Sequence, residues 1–238
     1  MRNYLSDTDT SIEFCTDDAL RNIDNALLLK AQSVIEVGLR RHNLREELYC
    51  QALLGIHLAR TGREIRLAWI FLSLMVGCFL PSMRLKGLLD DFLAEKKNEN
   101  NPDAIYCQKK LNRSTLAMQQ PPPEDKSNGD IFYELRQQRR APPCSLEFWA
   151  AVRKSSAAVS VICPDEARRS VAADSASTSQ EIVESVCTRL EIKDSFGFAL
   201  FLRAGQRFAP VGEGGVYLMD AFWQAERYSV EQGLEPPK

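Results

Sequence analysis

The sequence has few of the residues from which catalytic and metal sites are usually built. Only two of the 238 residues are histidines, and the seven cysteines are spread over positions 15, 50, 78, 107, 144, 163 and 187 without a CxxC pair. This spacing argues against a zinc site and against a disulfide framework. Unpaired cysteines are typical of a reducing compartment. We therefore expect no bound metal and no cofactor.

An excess of charge and a long apolar run are also missing. Thirty basic and 32 acidic residues give a formal net charge of -2, which leaves no overall attraction for nucleic acid or an anionic membrane. The longest apolar stretch, LAWIFLSLMVGCFL, has 14 residues, whereas a transmembrane helix needs about 20. The first residues, MRNYLSDTDTS, lack the apolar core of a signal peptide. The sequence thus predicts a cytoplasmic protein without a transmembrane segment or a nucleic-acid partner.

A pairing of cysteine with histidine could still indicate an enzyme. Cys50 and His57 are seven positions apart on one predicted helix, about 10.5 Å of rise, while a nucleophile and its base need about 3 Å. Cys50, Cys78 and Cys107 each fall on an apolar helical stripe, so we predict that they pack in a core. Cys144 is expected in a loop open to thiol reagents. A cysteine hydrolase or transferase using Cys50 or Cys144 remains the enzymatic alternative, but we expect no catalytic residue.

The first part of the chain has the period of successive helices. The helix predicted at 63–79 is apolar on nearly every face, which places it at the centre of a bundle. Pro81 ends it, and the Ser82 side chain can cap the next helix by accepting a backbone N–H bond. Asn101 and Pro102 then begin a last, short helix.

After a polar, proline-rich segment, the spacing of the apolar residues changes from that of helices to that of strands. The arginines of this segment, Arg136, Arg139 and Arg140, are interpreted as a solvated loop or helix face, with a binding patch as the less favoured alternative. Two apolar runs on either side of PDEA predict a hairpin, and Thr178 with Glu181 forms a capping-box pattern that opens a helix over 179–190.

The last part of the chain predicts one more strand and one more helix. FGFALFL is predicted as a strand with Phe196, Phe198, Leu200 and Leu202 on one face, followed by a helix with an apolar stripe. VGEGG between them lacks the lysine of a phosphate loop and is interpreted as a surface turn.

Three parts follow from these patterns. Residues 1–116 form an all-α helical domain, 117–143 a proline-rich polar linker, and 144–238 a small α+β domain. The predicted fold class is therefore α plus α+β.

Several stretches together resemble the tail of unconventional myosins of class VII and class XV. They are LREELYCQ, SLMVGCFLPS, YCQKKL, the run from Pro142 to Glu147, DSASTSQEIVESVC, IKDSFGFALFL and VYLMDAFWQAERYSVEQG. The resemblance implies a helical myosin tail homology domain, truncated at its front, followed by the first, ubiquitin-like lobe of a FERM domain. It also implies that this β-grasp lobe lacks its last strand, so that VSVIC and FGFALFL would present unpaired strand edges.

The resemblance implies a non-catalytic module that binds cargo or adaptor proteins behind an actin-based motor. It also implies association with the cytoskeleton, with cytoskeletal filaments as further candidate partners. A motorless adaptor or a kinesin-type tail with the same pair of domains is the alternative.

Two groups of basic residues are the candidate contacts for acidic cargo or for tubulin. One comprises Arg60, Arg63 and Arg66, and the other comprises Lys109, Lys110 and Arg113. A solvated helix face is the competing interpretation, because the helical segment as a whole is nearly neutral.

Overall fold

The computed structural model describes residues 18–119, 139–212 and 215–234. The helices are α1 (Asp18–Arg40), α2 (Arg45–Leu58), α3 (Gly62–Cys78), α4 (Met83–Asn98), α5 (Pro102–Gln119), α6 (Ser145–Arg153), α7 (Ser179–Arg189) and α8 (Leu218–Gln232). A 3-10 turn at His42–Leu44 separates α1 from α2. The strands are β1 (Ala157–Ile162), β2 (Arg168–Ala173), β3 (Phe201–Ala204) and β4 (Arg207–Pro210). The predicted order of a helical unit followed by an α+β unit is confirmed.

Helix α3 lies at the centre of the helical unit, as its sequence predicts. From Trp69 to Cys78 all residues but the partly buried Phe71 are buried, and the helix packs against α1, α2, α5 and α6. A helix that is apolar on every face is stable only when neighbours cover all of it. In the described part of the chain, α3 included, no helix is both long and apolar enough to cross a bilayer.

Side-chain caps set the helix starts. The Ser82 hydroxyl accepts a hydrogen bond from Leu85 N at 3.3 Å, so the predicted cap of α4 is confirmed. The side-chain Oδ1 of Asn101 accepts bonds from Asp103 N at 2.9 Å and Ala104 N at 3.2 Å. Helix α5 has 18 residues and is not the short helix expected, because neither glycine nor proline interrupts it after Pro102.

Helix α6 joins the two units and was not predicted. One face places Phe148 and Ala151 in the core of the helical unit, and the opposite face places Ala150 in the core of the α+β unit. Glu147 accepts a bond from Cys144 N at 3.1 Å and so completes a capping box. Its nine residues therefore serve both cores.

The β1–β2 hairpin is confirmed. Ala157 pairs with Ala173 and Ile162 with Arg168 in antiparallel register, and Cys163 N bonds Ala167 O at 3.0 Å to close the turn. The Thr178 capping box at the start of α7 is also confirmed.

The predicted strand over FGFALFL is wrong for its first five residues, 196–200. Strand β3 begins only at Phe201 and pairs with β4. Phe196 is 90% exposed and Phe198 46% exposed, while Leu202 is buried. Gly197 has φ +84°, and Phe196 N bonds the Asp194 carboxylate at 2.9 Å. A positive φ and an Asx turn are incompatible with extended backbone.

The two hairpins form separate sheets in the described residues, β1 with β2 and β3 with β4. An apolar groove of about 710 Å³ lies between them. β1 and β3 line its two sides, α7 contributes Val186 and Leu190, and Phe222 of α8 also lines it.

Candidate binding sites at the domain junction

The first group of candidate residues lies at the start of α3. Arg60, Arg63 and Arg66 are all exposed. The turn that carries them is held by a capping box, in which Glu64 accepts bonds from Arg60 N at 2.8 Å and Thr61 N at 3.2 Å. These backbone hydrogen bonds lower the pKa of Glu64. The structure thus places three accessible cations at one end of a rigid helix.

The second group does not form one exposed surface. Lys109 is exposed, but Lys110 is only 7% exposed. Arg113 is half-buried and binds Asp174 at 3.3 Å and Glu181 at 2.5 Å. Both carboxylates belong to the α+β unit, so α5 faces that unit and not solvent at these positions. The interpretation of Lys110 and Arg113 as part of a solvated face is wrong.

A cavity of about 360 Å³ lies where α5 meets the α+β unit. It is lined by Tyr106, Lys109, Lys110 and Arg113 on the helical side and by Lys154, Ser155, Ser156 and the 173–176 segment on the other. The Tyr106 hydroxyl donates to Ser155 O at 3.4 Å, and Lys154 forms an ion pair with Asp103 at 3.1 Å. Both units build this cavity.

Arg139 is the centre of the junction, where the sequence predicted a solvated arginine. Its side chain is 1% exposed. Nη1 and Nη2 bind the two oxygens of Glu147 at 2.8 and 2.9 Å, and Nε donates to Asp220. Nη1 also donates to Ser175 O at 3.1 Å and lies 3.4 Å from Gly77 O. The Arg139 guanidinium therefore connects the Gly77 carbonyl of α3 with Glu147 of α6 and with Ser175 and Asp220 of the α+β unit.

The charges of this network hold each other ionised. Burial alone would raise the pKa of Glu147, but the adjacent Arg139 charge and its hydrogen bonds outweigh burial, and the pKa is lowered. Burial alone would lower the pKa of Arg139, but Glu147 and Asp220 keep it well above its usual value. Such a pair is stable only while both partners are present.

The remaining predicted arginines of this segment differ in placement. Arg140 is exposed, as expected, although its backbone N–H donates to Asp220 at 2.8 Å. Arg136 lies outside the described residues.

The cysteines are buried or exposed in a different pattern from the one predicted. Cys78 and Cys107 are buried, which confirms their packing role, and burial raises the pKa of each thiol to about 12. Cys50 is exposed, so its predicted place in the core is wrong. α2 turns its 50, 54 and 57 positions outward. Cys15 lies outside the described residues.

The prediction of an accessible Cys144 is also wrong. It is buried at the N-terminus of α6, with its sulfur 3.6 Å from the Met219 sulfur. Burial raises the pKa of this thiol well above its ordinary value, and the nearby Glu147 and Glu226 charges add to the effect. A thiolate is disfavoured there.

A family model described as "MyTH4 domain" matches residues 31–150, 120 of the 238 residues. The chain belongs to the MyTH4 domain family. A second model, described as "RA like domain", matches residues 155–237. The MyTH4 match ends within α6, so this helix, which serves both cores, also marks the passage from one family region to the next.

Curated relatives agree with the resemblance seen in the sequence. Myosin-VIIa of Drosophila melanogaster is 31% identical over 208 residues, covering 87% of this chain and 9% of the relative. Unconventional myosin-VIIb of Mus musculus is 30% identical over 207 residues, again with 87% and 9% covered. The predicted likeness to class VII myosin tails is confirmed. The chain spans about 9% of the length of these relatives.

Solved structures show the same fold. The MF1 MyTH4-FERM domain of Dictyostelium discoideum myosin VII (mutant 2) superposes with a TM-score of 0.74 at 16% identity, covering 93% of this chain and 42% of that one. The C-terminal MyTH4-FERM domain of human myosin 7b, solved in complex with the harmonin-a PDZ3 domain, gives 0.69 at 17% identity, with 90% and 45% covered. These superpositions show that the chain has the MyTH4-FERM fold over most of its length.

The residues that join the two units were missed by sequence reasoning. Arg139, Glu147 and Asp220 stand 8 and 73 positions apart along the chain, too far for a local pattern to connect them. One signal was available. Glu147 lies three positions after Cys144, which is the spacing of a capping box.

Proposed function

We propose that this chain is a non-catalytic protein-binding module from the tail of an unconventional, actin-based myosin, where it links the motor to cargo or adaptor proteins. The observation that carries this proposal is the domain pair itself, joined through a shared helix and a buried guanidinium. Such a joint holds the exposed surfaces of both units in one relative orientation. A partner can then contact both units without an added ordering cost.

The relatives support a role in protein recognition. A solved MyTH4-FERM structure of human myosin 7b contains a bound PDZ domain, and we extend the same class of partner, a protein, to this chain. Its place is accordingly the cytoplasm, in association with the cytoskeleton. Cytoskeletal filaments are the second class of partner, and nucleic acid is not one.

The exposed arginines at the start of α3 give the proposal its test. We would immobilise the chain, capture proteins from a lysate of cells that express it and quantify them by mass spectrometry. The double variant Arg63→Glu/Arg66→Glu reverses two exposed charges, and Arg84→Glu, an exposed position on α4, is the matched control.

At least one protein should be retained by the wild type and by Arg84→Glu and be reduced at least about tenfold in the double variant, since each lost charge pair in an interface costs about 1 kcal/mol or more. Capture no different from that of an unrelated protein of equal size and charge would contradict the proposal. Co-sedimentation with microtubules at rising salt, with the same variants, separates filaments from cargo as the partner.

A further inference from the structure

The cavity between α5 and the α+β unit is lined by a lysine whose side chain is largely buried. Lys110 is 93% removed from solvent (7% exposed) and lines this cavity. Its Nζ lies 5.8 Å from the centroid of the Tyr106 ring, and it would lie 2.9 Å from a Cβ added to Gly77. The charge therefore lies beside Gly77 of α3, at the inner wall of the cavity.

The hydrogen-bonding capacity of Lys110 is not used by the described residues. The Glu147 carboxylate interacts with the Lys110 charge, but Arg139 and Cys144 N already bind both of its oxygens. No acceptor in the described ranges bonds the Lys110 ammonium, whose three N–H groups can each donate. Among the described residues the fully enclosed polar atom without a partner is Ser229 Oγ and not Lys110 Nζ, so the ammonium remains open to the cavity it lines, and its unused donors are available to a ligand.

The positive and negative charges of the junction are equal in number, but some of its hydrogen-bond donors have no acceptor among the described residues. Lys110 and Arg139 carry two positive charges against the two negative charges of Glu147 and Asp220. At the mouth of the cavity, Arg113 is occupied by Asp174 and Glu181, and Lys154 by Asp103. Lys109 remains exposed and, among the described residues, forms no ion pair. The unused polar capacity of the cavity is thus cationic and donating.

The other residues that line the cavity indicate what kind of ligand would fit it. Ile105, Tyr106, Ala150, Ala157 and Met219 are apolar or aromatic, and Ser155 and Ser156 supply hydroxyls at the rim. The volume of about 360 Å³ lies at the low end of the range of small ligand sites. It suits one carboxylate with one adjacent apolar side chain.

We propose that this cavity binds a carboxylate of a partner protein's peptide segment, with Lys110 as the buried anchor and Lys109 at the entrance. The peptide carries an apolar residue next to the carboxylate, which fills the space beside Tyr106 and Ala157. This inference rests on the proposed function, because it takes a protein as the partner. Since both units line the cavity, the site exists only when the two units are docked.

Fluorescence polarisation with defined peptides tests the site. The probes are fluorescein-Gly-Ser-Glu-Leu-Ser-Gly-amide, the same peptide with Gln in place of Glu, and fluorescein-Gly-Ser-Gln-Leu with a free terminal carboxylate. The first probe offers a side-chain carboxylate and the third a chain-terminal one, so the arms distinguish the two sources. Variants of the full chain are Lys110→Met, which keeps the apolar stem, and Lys97→Met, an exposed lysine on α4, as control.

At least one carboxylate probe should bind, and the Gln amide probe should bind at least about tenfold more weakly, because a charge-assisted hydrogen bond is lost. Lys110→Met should weaken binding by a similar factor and Lys97→Met should not. Thermal unfolding of Lys110→Met checks that the fold is kept. Amide shifts in an NMR titration should concentrate at Tyr106, Ser155 and Ser156.

Two results would overturn the inference. One is that neither carboxylate probe binds, and the other is that Lys110→Met binds like the wild type. If lysate capture still shows a partner that depends on Arg63 and Arg66, the proposed function stands and this cavity is not the site. If capture also fails, both proposals fail.

Discussion

Arg139 and Glu147 form a two-bond ion pair at 2.8 and 2.9 Å, with both side chains at most 2% exposed. The arginine comes from the segment that leads into α6, and the glutamate lies on α6 itself. A fork of two parallel bonds gives this contact a defined direction as well as strength. The pair therefore holds the chain where it passes from the helical unit to the α+β unit.

Replacing Arg139 by alanine should destabilise the protein by about 3–5 kcal/mol, because Glu147 and Asp220 would be left buried without their cation. Urea unfolding measures the change. Arg140→Ala, one position further on and exposed, should change the free energy of unfolding by no more than about 0.5 kcal/mol. Arg139→Met with Glu147→Gln and Asp220→Asn removes all three charges and should recover part of the loss. A loss below 1 kcal/mol for Arg139→Ala would show that Glu147 and Asp220 do not depend on Arg139 for their stability in the folded protein.

Gly77→Ala should disturb the junction. An added Cβ would lie 2.5 Å from Ser175 Oγ, 2.8 Å from Ser175 Cβ and 2.9 Å from Lys110 Nζ, so α3 and the 174–177 loop would have to separate. Overpacking of this kind costs about 1–3 kcal/mol. Gly87→Ala in the middle of α4 meets nothing within 4 Å and should stabilise by about 0.5–1 kcal/mol. Melting temperatures that move in the same direction for both variants would contradict this reading of the junction.

Thiol labelling should separate the cysteines by exposure. Under native conditions a maleimide should modify Cys50 within minutes, while Cys78, Cys107 and Cys144 should react only after unfolding. Peptide mapping by mass spectrometry identifies the sites, with Cys50→Ser as control. Rapid native labelling of Cys144 would be incompatible with its burial beneath Met219.

Stability should fall on the alkaline side. The Cys78 and Cys107 thiols have pKa values of about 12 in the folded protein against an ordinary value of 9.0. Between pH 9 and 12 the unfolded state loses these protons and the folded state keeps them, so unfolding is favoured by about 1.4 kcal/mol per pH unit for each thiol. Urea midpoints at pH 7.5 and 10.5, with a reductant present, measure the drop. Cys107→Ala should show a drop smaller by about 2 kcal/mol; an equal drop would exclude that thiol as a cause.

The free edge of β3 should exchange its amide hydrogens readily. β3 has four residues and pairs only with β4 among the described strands, and a two-stranded hairpin is marginal alone. Hydrogen exchange followed by mass spectrometry should show weak protection over residues 198–202 and strong protection over α3. Protection of 198–202 equal to that of α3 would mean that the edge is covered in solution.

The parts of the fold that local signals control were predictable. Ser82 and Thr178 mark the starts of α4 and α7 because a hydroxyl cap acts within three residues of itself. Apolar residues on nearly every face of α3 predict its place at the centre of the bundle, because such a helix must be covered on all sides. The hairpin around PDEA follows from a turn between two short alternating runs.

The junction was not predictable in the same way. Arg139 lies in a polar, proline-rich stretch, and its partners are 8 to 81 positions away, so composition favours a solvated residue. Phe196 and Phe198 alternate as strand residues do, but the positive φ of Gly197 and the Asp194 turn override that period. For the candidate site, charge identified Lys109, Lys110 and Arg113, while their different burial depends on the α+β unit that packs over α5.

The nine residues of α6 make the chain indivisible between its two family regions. A cut before Ser145 would strip Phe148 and Ala151 from the bundle, and a cut after Arg153 would strip Cys144 and Ala150 from the β-grasp side. Neither half could be excised with its interior intact. The family boundary at residue 150 falls within a helix that contributes side chains to both cores.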